Sequence, residues 1–168
     1  GMFTKREVKD KVVPLICILA PVICYVLSSN SEQWFNGYKF DFELLGLISS
    51  AKGYKLAWDI NQALNIQLVK QPDLVVGFKN SEEKCFSFYA HETLLNRLKL
   101  FKNKPLDHEG GKYFLIPEFP HFDFIILADM EEQYSAHQLI HTLRSIRSIE
   151  LAALIPVDGL KSKLNFVF

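Results

Sequence analysis

Three side chains that could do acid–base or metal chemistry lie close together in the sequence, at Glu118, His121 and Asp123. Two carboxylates beside one turn could act as a general acid and a general base. With the imidazole they could also hold a metal ion. Alternatively, the carboxylates accept hydrogen bonds from the loop backbone or face water. No third group in the sequence is placed to tune either carboxylate, so we predict candidate binding residues here and neither a catalytic nor a metal site.

The residues around these side chains predict a β-hairpin. Residues 113–116 and 122–128 are rich in aromatic and β-branched side chains, as strands are. Pro117 favours an extended residue before it, and Pro120 offers no backbone N–H. We therefore predict two strands joined by a loop over residues 118–121.

The same stretch resembles a small bacterial family, mostly from Bacteroidetes, described by the signature IPExxxVDY. Residues 116–118 and Asp123 match the signature. Phe122 stands where the family has Val, and Phe124 stands where it has Tyr. The strand character is kept, but a hydroxyl is lost at residue 124.

Two further stretches are similar to this family, residues 45–65 and the tail 160–168. The resemblance covers roughly residues 38–168. No activity is assigned to the family, so the resemblance implies no particular reaction. It does imply a cytoplasmic location.

Composition excludes several classes of function. The chain has 168 residues, which suggests a single domain. Its 19 basic and 19 acidic residues balance, and no basic cluster alternates with aromatic residues, so nucleic-acid binding has no electrostatic support. Cys17, Cys24 and Cys85 form no CxxC pair, so neither a zinc site nor a disulfide framework is indicated.

The N-terminal part of the chain allows two interpretations. A basic start precedes the uncharged run 12–27, as in a signal peptide or membrane anchor. The run is short for a membrane span and contains Pro14 and Pro21, which argues against a spanning helix. The other interpretation is a segment packed on the domain or an extension upstream of the true start, and the sequence leaves both open. We predict an apolar segment at residues 1–30 and one α+β domain at 38–168. A cytoplasmic location is expected, with export or anchoring through the apolar run as the alternative.

Hydrophobic periodicity predicts two main helices, at residues 51–65 and 130–147. Residues 93–101 fit either a strand or a helix. Strands are predicted at 38–48, 66–70, 74–78, 85–90, 122–128, 149–157 and, at the sheet edge, 165–168. Two βαβ-like halves then indicate an α+β fold with an antiparallel or mixed sheet and the helices on one face. A ferredoxin-like or ACT-like arrangement is the leading candidate.

Tyr54 and Trp58 are four residues apart on the first predicted helix, opposite its apolar stripe. Two large aromatic side chains on a solvent-facing side need a cover. The N-terminal segment, a second subunit or a ligand could supply it, or the pair could pack under a loop. We predict that both are binding residues.

Two other groups have the residue types of a metal site. His137 and His141 are four apart on the last helix, a spacing that allows two imidazoles to share a metal. The nearby Arg144 and the absence of a Glu at position 138 favour a solvated helix face instead. Residues 107–109, Asp-His-Glu, precede two glycines, which favours a hydrated turn. No cofactor is predicted. Ser50 is expected to cap the first helix.

These observations favour a non-enzymatic interaction or regulatory module that self-associates as a homodimer. An ACT-like small-molecule sensor is the alternative, although the turn 48–53 holds only one glycine. A carboxylate- or metal-dependent enzyme at Glu118, His121 and Asp123 is less supported. Possible partners are a second copy, another protein or a small ligand. Nucleic acid is not expected, and a membrane is expected only if residues 12–27 are retained as an anchor.

Overall fold

The computed structural model describes residues 41–106, 113–130 and 135–168. All of them belong to the second of the two units into which the chain divides, Asp41–Phe168. The predicted N-terminal segment and the Asp-His-Glu group at 107–109 lie outside the described residues. Among the described helices, none has the length and apolar character needed to cross a membrane.

The described residues form strands, two α-helices and a 3-10 helix that we call η1. In chain order they are β1 Glu43–Ile48, α1 Gly53–Leu64, β2 Val69–Lys70, β3 Leu74–Gly77, β4 Glu83–Phe86, β5 Phe88–Glu92, β6 Asn96–Lys102, β7 Phe124–Met130, α2 Ala136–Arg144, β8 Leu151–Ile155 and η1 Lys161–Phe166.

Six of the strands make one sheet in the order β2-β5-β6-β7-β1-β8, and every neighbouring pair is antiparallel. The strands β3 and β4 form a separate antiparallel hairpin. The predicted α+β class is confirmed, and the sheet is the antiparallel one of the two alternatives. Residues 93–101, ambiguous in the sequence, contribute the strand β6.

The two helices cover one face of the sheet, which we call the helix face. Leu56 and Ile60 of α1 and Leu139 and Leu143 of α2 are buried there. They pack on sheet side chains that alternate along the strands, including Leu45, Leu47, Leu98, Leu100 and Ile126. The periods of about 3.6 and 2 residues that predicted these elements are the periods of this core.

On the opposite face, which we call the signature face, the described residues that cover the sheet include no α-helix. Its sheet side chains include Phe101, Ile125 and Leu127. Phe86 of β4, the segment 113–123 and Phe166 of η1 pack over them. Phe101 lies edge-on to Phe166, with ring centroids 5.3 Å apart.

Several predicted bounds and elements are wrong. The strand expected at 66–70 is confined to β2, Val69–Lys70, and the one expected at 149–157 is confined to β8, Leu151–Ile155. Ser135 caps α2 and fixes its start at Ala136, whereas residues 130–147 were expected to be helical. The residue preceding α1 is Lys52, which makes no side-chain cap, so Ser50 is not the capping residue. The expected edge strand at 165–168 is absent from the described sheet, because Asn165 and Phe166 complete η1.

Candidate functional site

The segment that carries the signature is a pair of turns and not the hairpin that its composition predicts. Residues 113–123 contain no strand. The backbone N–H of Phe119 donates to Ile116 O, and that of Phe122 donates to Phe119 O. Pro117 and Pro120 therefore each occupy the second position of a four-residue turn, where the fixed φ of proline is favourable.

The buried side chain of Asn103 is hydrogen-bonded to the backbone of both turns. The side chain is fully buried, and its amide nitrogen donates to Phe119 O at 3.1 Å and to Phe122 O at 2.8 Å. Its side-chain oxygen accepts from the backbone N–H of Ile116 at 2.9 Å. One buried side chain thus satisfies three backbone groups that the absent hairpin leaves without strand partners.

Glu118 binds the start of η1. Its Oε1 accepts from the backbone N–H groups of Lys161 at 2.8 Å and Ser162 at 3.0 Å, and its Oε2 accepts from Ser162 Oγ at 2.9 Å. The first N–H groups of a helical turn have no partner within the turn, so a carboxylate placed there caps it. Asn165 adds a second link by donating to Leu115 O at 2.9 Å.

These contacts change the acidity of Glu118. Partial burial alone would raise its pKa, but the hydrogen bonds from its own backbone N–H, Ser162 and Lys161 outweigh burial and lower the pKa below its ordinary value. The group is therefore held as a carboxylate, which suits an acceptor in a cap and not a proton donor.

Asp123 and His121 have other partners. Asp123 Oδ2 accepts from the backbone N–H of Ser49 at 3.1 Å, and Lys104 Nζ lies 3.9 Å from Asp123 Oδ1. The exposed imidazole of His121 lies beside the ring of Phe122, with centroids 4.3 Å apart. The acid, base and metal hypotheses need Glu118, His121 and Asp123 to act on one point, whereas the two carboxylates bind separate backbone groups.

The ring of Phe122 occupies the space that a side chain at Gly46 of β1 would need. The ring lies against the backbone of Gly46 in β1, and a Cβ added at Gly46 would lie 2.4 to 2.5 Å from three atoms of the ring. Real contacts of this kind do not approach so closely, so glycine is required here for close packing.

Tyr54 and Trp58 are placed on α1 as the helical spacing predicted, away from the buried stripe. Tyr54 is 65% exposed and Trp58 is 55% exposed. The Nζ atom of Lys55 lies 4.4 Å from the centroid of the Trp58 ring and 2.6 Å from Asp59 Oδ1. This set of four side chains on α1 is called the aromatic ridge below.

Asp59 also joins the ridge to the end of the sheet. Its Oδ2 accepts from Ser148 Oγ at 2.6 Å, and the Ser148 carbonyl accepts from Ser49 Oγ. The hydrogen bonds from Lys55 and then Ser148 lower the pKa of Asp59 below its ordinary value. The ridge is therefore tied to the end of the sheet by a contact from the middle of α1 to Ser148.

His137 and His141 both lie exposed on α2. Within the described ranges, no group of three or more His, Cys, Asp or Glu side chains is arranged to hold a metal ion. The pair therefore has the surroundings of a solvated helix face.

Sequence reasoning missed Asn103 and Lys99. Asn103 looked like an ordinary loop residue, because its partners are 13 to 19 positions away and leave no periodic signal. Lys99 alternates with Leu98 and Leu100, a pattern that predicts exposure, yet only 8% of it is exposed. A lysine between apolar residues in a strand that is central to a sheet is the one signal that could have marked it.

Comparison of the chain with family models, curated proteins and solved structures gave no match.

Proposed function

We propose that this protein is a non-enzymatic interaction module that associates with a second copy of itself through the aromatic ridge. The observation that carries the proposal is the exposure of Tyr54 and Trp58 one helical turn apart. Tyrosine and tryptophan dominate the energetics of protein interfaces, because they bury large areas at low cost in side-chain entropy.

The charges of the ridge favour a second copy as the partner. Lys55 and Asp59 place both signs of charge beside Trp58. In a two-fold symmetric dimer, the same patch faces itself, and a patch with both signs can match its own copy. A ridge of one sign would repel its own copy.

The chemistry of the signature supports a role that is not catalytic. The Glu118 carboxylate is occupied by Lys161 and Ser162, and that of Asp123 by Ser49. A general acid or base has to exchange protons with a substrate, whereas these groups accept from the fold.

Membership in the IPExxxVDY family also remains a proposal, and one contact supports it. The signature and the tail 160–168, two of the three stretches that carry the resemblance, are hydrogen-bonded to each other through Glu118 and Ser162. Residues that depend on one another in this way would be expected to occur together in a family.

We further propose that β1, α1, β6, β7, α2 and β8 form a ferredoxin-like unit, with β2 to β5 inserted after α1. The strand order β6-β7-β1-β8 supports this, because each α-helix connects two strands that have one antiparallel strand between them. The arrangement hosts many functions, so it does not decide among them.

The test is sedimentation equilibrium of the full chain over a range of concentrations. We expect a dimer, and we expect Trp58→Ala to raise its dissociation constant by at least about tenfold. The matched control is Leu94→Ala, which removes a fully exposed apolar side chain outside the ridge and should leave the constant unchanged.

A second readout uses fluorescence. Trp34 and Trp58 are the two tryptophans of the chain, so in Trp34→Phe the emission reports Trp58 alone. We expect its emission to shift to shorter wavelength as the dimer forms. A chain that stays monomeric at every concentration, or a folded Trp58→Ala variant that dimerises like the parent, would refute the proposal.

A further inference from the structure

An open groove of about 710 Å³ lies on the signature face, near the edge formed by β2 and β5. Its lining is mixed. Val69, Phe88 and Ala90 are apolar, Glu92 and Lys99 add one charge of each sign, and the remaining lining residues are polar: Gln67, Gln71, His91 and Thr93. Its volume is within the usual range for small-molecule sites. Because Lys99 alternates with the helix-face residues Leu98 and Leu100, the groove is on the other side of the sheet from the aromatic ridge.

Lys99 lies among apolar side chains on the signature face of the sheet. Val69 pairs with Ala90, Ala90 pairs with Lys99, and Lys99 pairs with Leu127, so these four side chains form one row across the sheet. Only 8% of Lys99 is exposed. Burying an ammonium group is costly, and an apolar side chain of similar length would fill the row without that cost.

The ammonium group of Lys99 has few partners in the described part of the chain. Glu92 Oε1 lies 3.0 Å from Lys99 Nζ, and the ring of Phe168 lies 4.3 Å from it. About half of the Glu92 side chain is exposed, so it can turn towards solvent. An ammonium group has three N–H donors, and Lys99 therefore keeps donor capacity for another acceptor.

A neighbouring cation on this side is already matched. Arg97, the cross-strand neighbour of Glu92, binds Asp129 Oδ2 at 2.9 Å. Lys99 is thus the buried cation that faces the groove, and its present anion is a movable one.

We propose that the groove binds a small molecule with a carboxylate and a compact apolar body. The carboxylate accepts from Lys99 in place of Glu92, and the body lies on Val69, Phe88 and Ala90. A charge-assisted hydrogen bond to a desolvated ammonium supplies affinity and orientation, and the apolar lining supplies the remaining burial.

The test is titration calorimetry of the full chain with 3-phenylpropionate, with L-phenylalanine and with 3-phenylpropionamide. We expect the carboxylates to bind and the neutral amide to bind at least about tenfold more weakly, because it lacks the charge that Lys99 recognises. If L-phenylalanine binds more tightly than 3-phenylpropionate, and Glu92→Gln removes that preference, the ligand is an amino acid whose ammonium group pairs with Glu92. The reverse order identifies a simple carboxylic acid.

Lys99→Met is the decisive variant. It keeps the length of the side chain, and its apolar character suits the row, so we expect a folded protein that binds either carboxylate at least about tenfold more weakly. Amide chemical-shift mapping on the parent chain gives a readout that does not depend on any variant. The shifts should centre on Val69, Ala90 and Lys99.

Four results would overturn the proposal, three of them measured on the parent chain. Those three are the absence of binding by both carboxylates, equal binding of the amide, and shifts centred on α1 instead of the groove. Equal affinity in a folded Lys99→Met variant is the fourth.

Discussion

The two faces of the central sheet are covered by different means. On the helix face, regularly spaced apolar residues such as Leu56, Ile60, Leu139 and Leu143 supply the contacts. On the signature face, much of the cover is irregular chain, held by a few polar side chains that satisfy its backbone. The helix face therefore spreads its stability over many similar contacts, whereas the signature face concentrates it in single residues.

The largest effect is expected at Asn103. Replacing it with Ala leaves the buried carbonyl of Phe122 and the buried N–H of Ile116 without their partner, and it removes one of the two donors to Phe119 O. Each such group costs about 1–3 kcal/mol, so we expect a loss of roughly 3–5 kcal/mol in the free energy of unfolding, measured by urea denaturation.

The control for Asn103 is Asn80→Ala. Asn80 is exposed and donates to the Tyr113 hydroxyl at 3.2 Å. Its loss should stay within about 0.5 kcal/mol. Equal losses at the two asparagines would contradict the view that the signature face depends on one buried amide.

The next largest effect is expected at Gly46. A methyl group there collides with the Phe122 ring, and we expect Gly46→Ala to cost roughly 1–3 kcal/mol. Phe122→Val, which places the residue of the IPExxxVDY signature at this position, removes the ring and makes room for the methyl group. The double variant should therefore be more stable than the sum of the single effects predicts, by roughly 0.5–3 kcal/mol in a double-mutant cycle. Additive effects would show that the ring does not set the requirement for glycine.

A smaller, pH-dependent effect is expected at Glu118. The lowered pKa means that folding favours the carboxylate, so its contribution is fully present above the pKa of the unfolded chain, near 4.5, and is lost as the pH falls through the lower folded value. At neutral pH, Glu118→Gln should cost about 1–2 kcal/mol in the free energy of unfolding, because the carboxylate caps η1. The exposure of Glu118 keeps the cost from being larger.

Urea denaturation of the parent and of Glu118→Gln at a series of pH values checks this sign. The difference between them should shrink as the pH falls below about 4.5. Ser162→Ala removes one of the three donors to Glu118. In that background, Glu118→Gln should therefore cost less stability at neutral pH than it does in the parent chain. A difference that is constant across the series would rule out the carboxylate as its source.

The two faces also differ in how much of their structure could be predicted from the sequence. The apolar stripe of α1 led to the right helix, because the residues that pack on the helix face are also the residues that repeat. The apolar runs of β1 and β7 led to the right strands, because both strands are buried within the sheet. Ser135 and Gln138 have the spacing of a capping box, which marks the start of α2 more closely than the hydrophobic period that predicted residues 130–147.

On the signature face, the same reasoning failed. Leu115 and Ile116 are buried, as strand-like residues should be, but Pro117 and Pro120 direct the chain into turns. The tail looked like an edge strand, because nothing local shows that Glu118, more than 40 positions earlier, caps it as η1. Contacts between residues far apart in the chain do not recur at a fixed spacing, so sequence patterns cannot predict them.

The smallest effect is expected at Ser135, on the helix face. Its Oγ accepts from the backbone N–H of Gln138 at 3.3 Å, and Gln138 Oε1 accepts from the backbone N–H of Ser135 at 3.0 Å. Ser135→Ala should cost roughly 0.5–1 kcal/mol in urea denaturation, and Ser135→Asp should keep most of the stability because Asp caps equally well. The buried contacts of Leu139 and Leu143 remain in both variants, so the helix persists. A loss as large as that of Asn103→Ala would show that the helix face also depends on single polar residues, and the contrast between the faces would then fail.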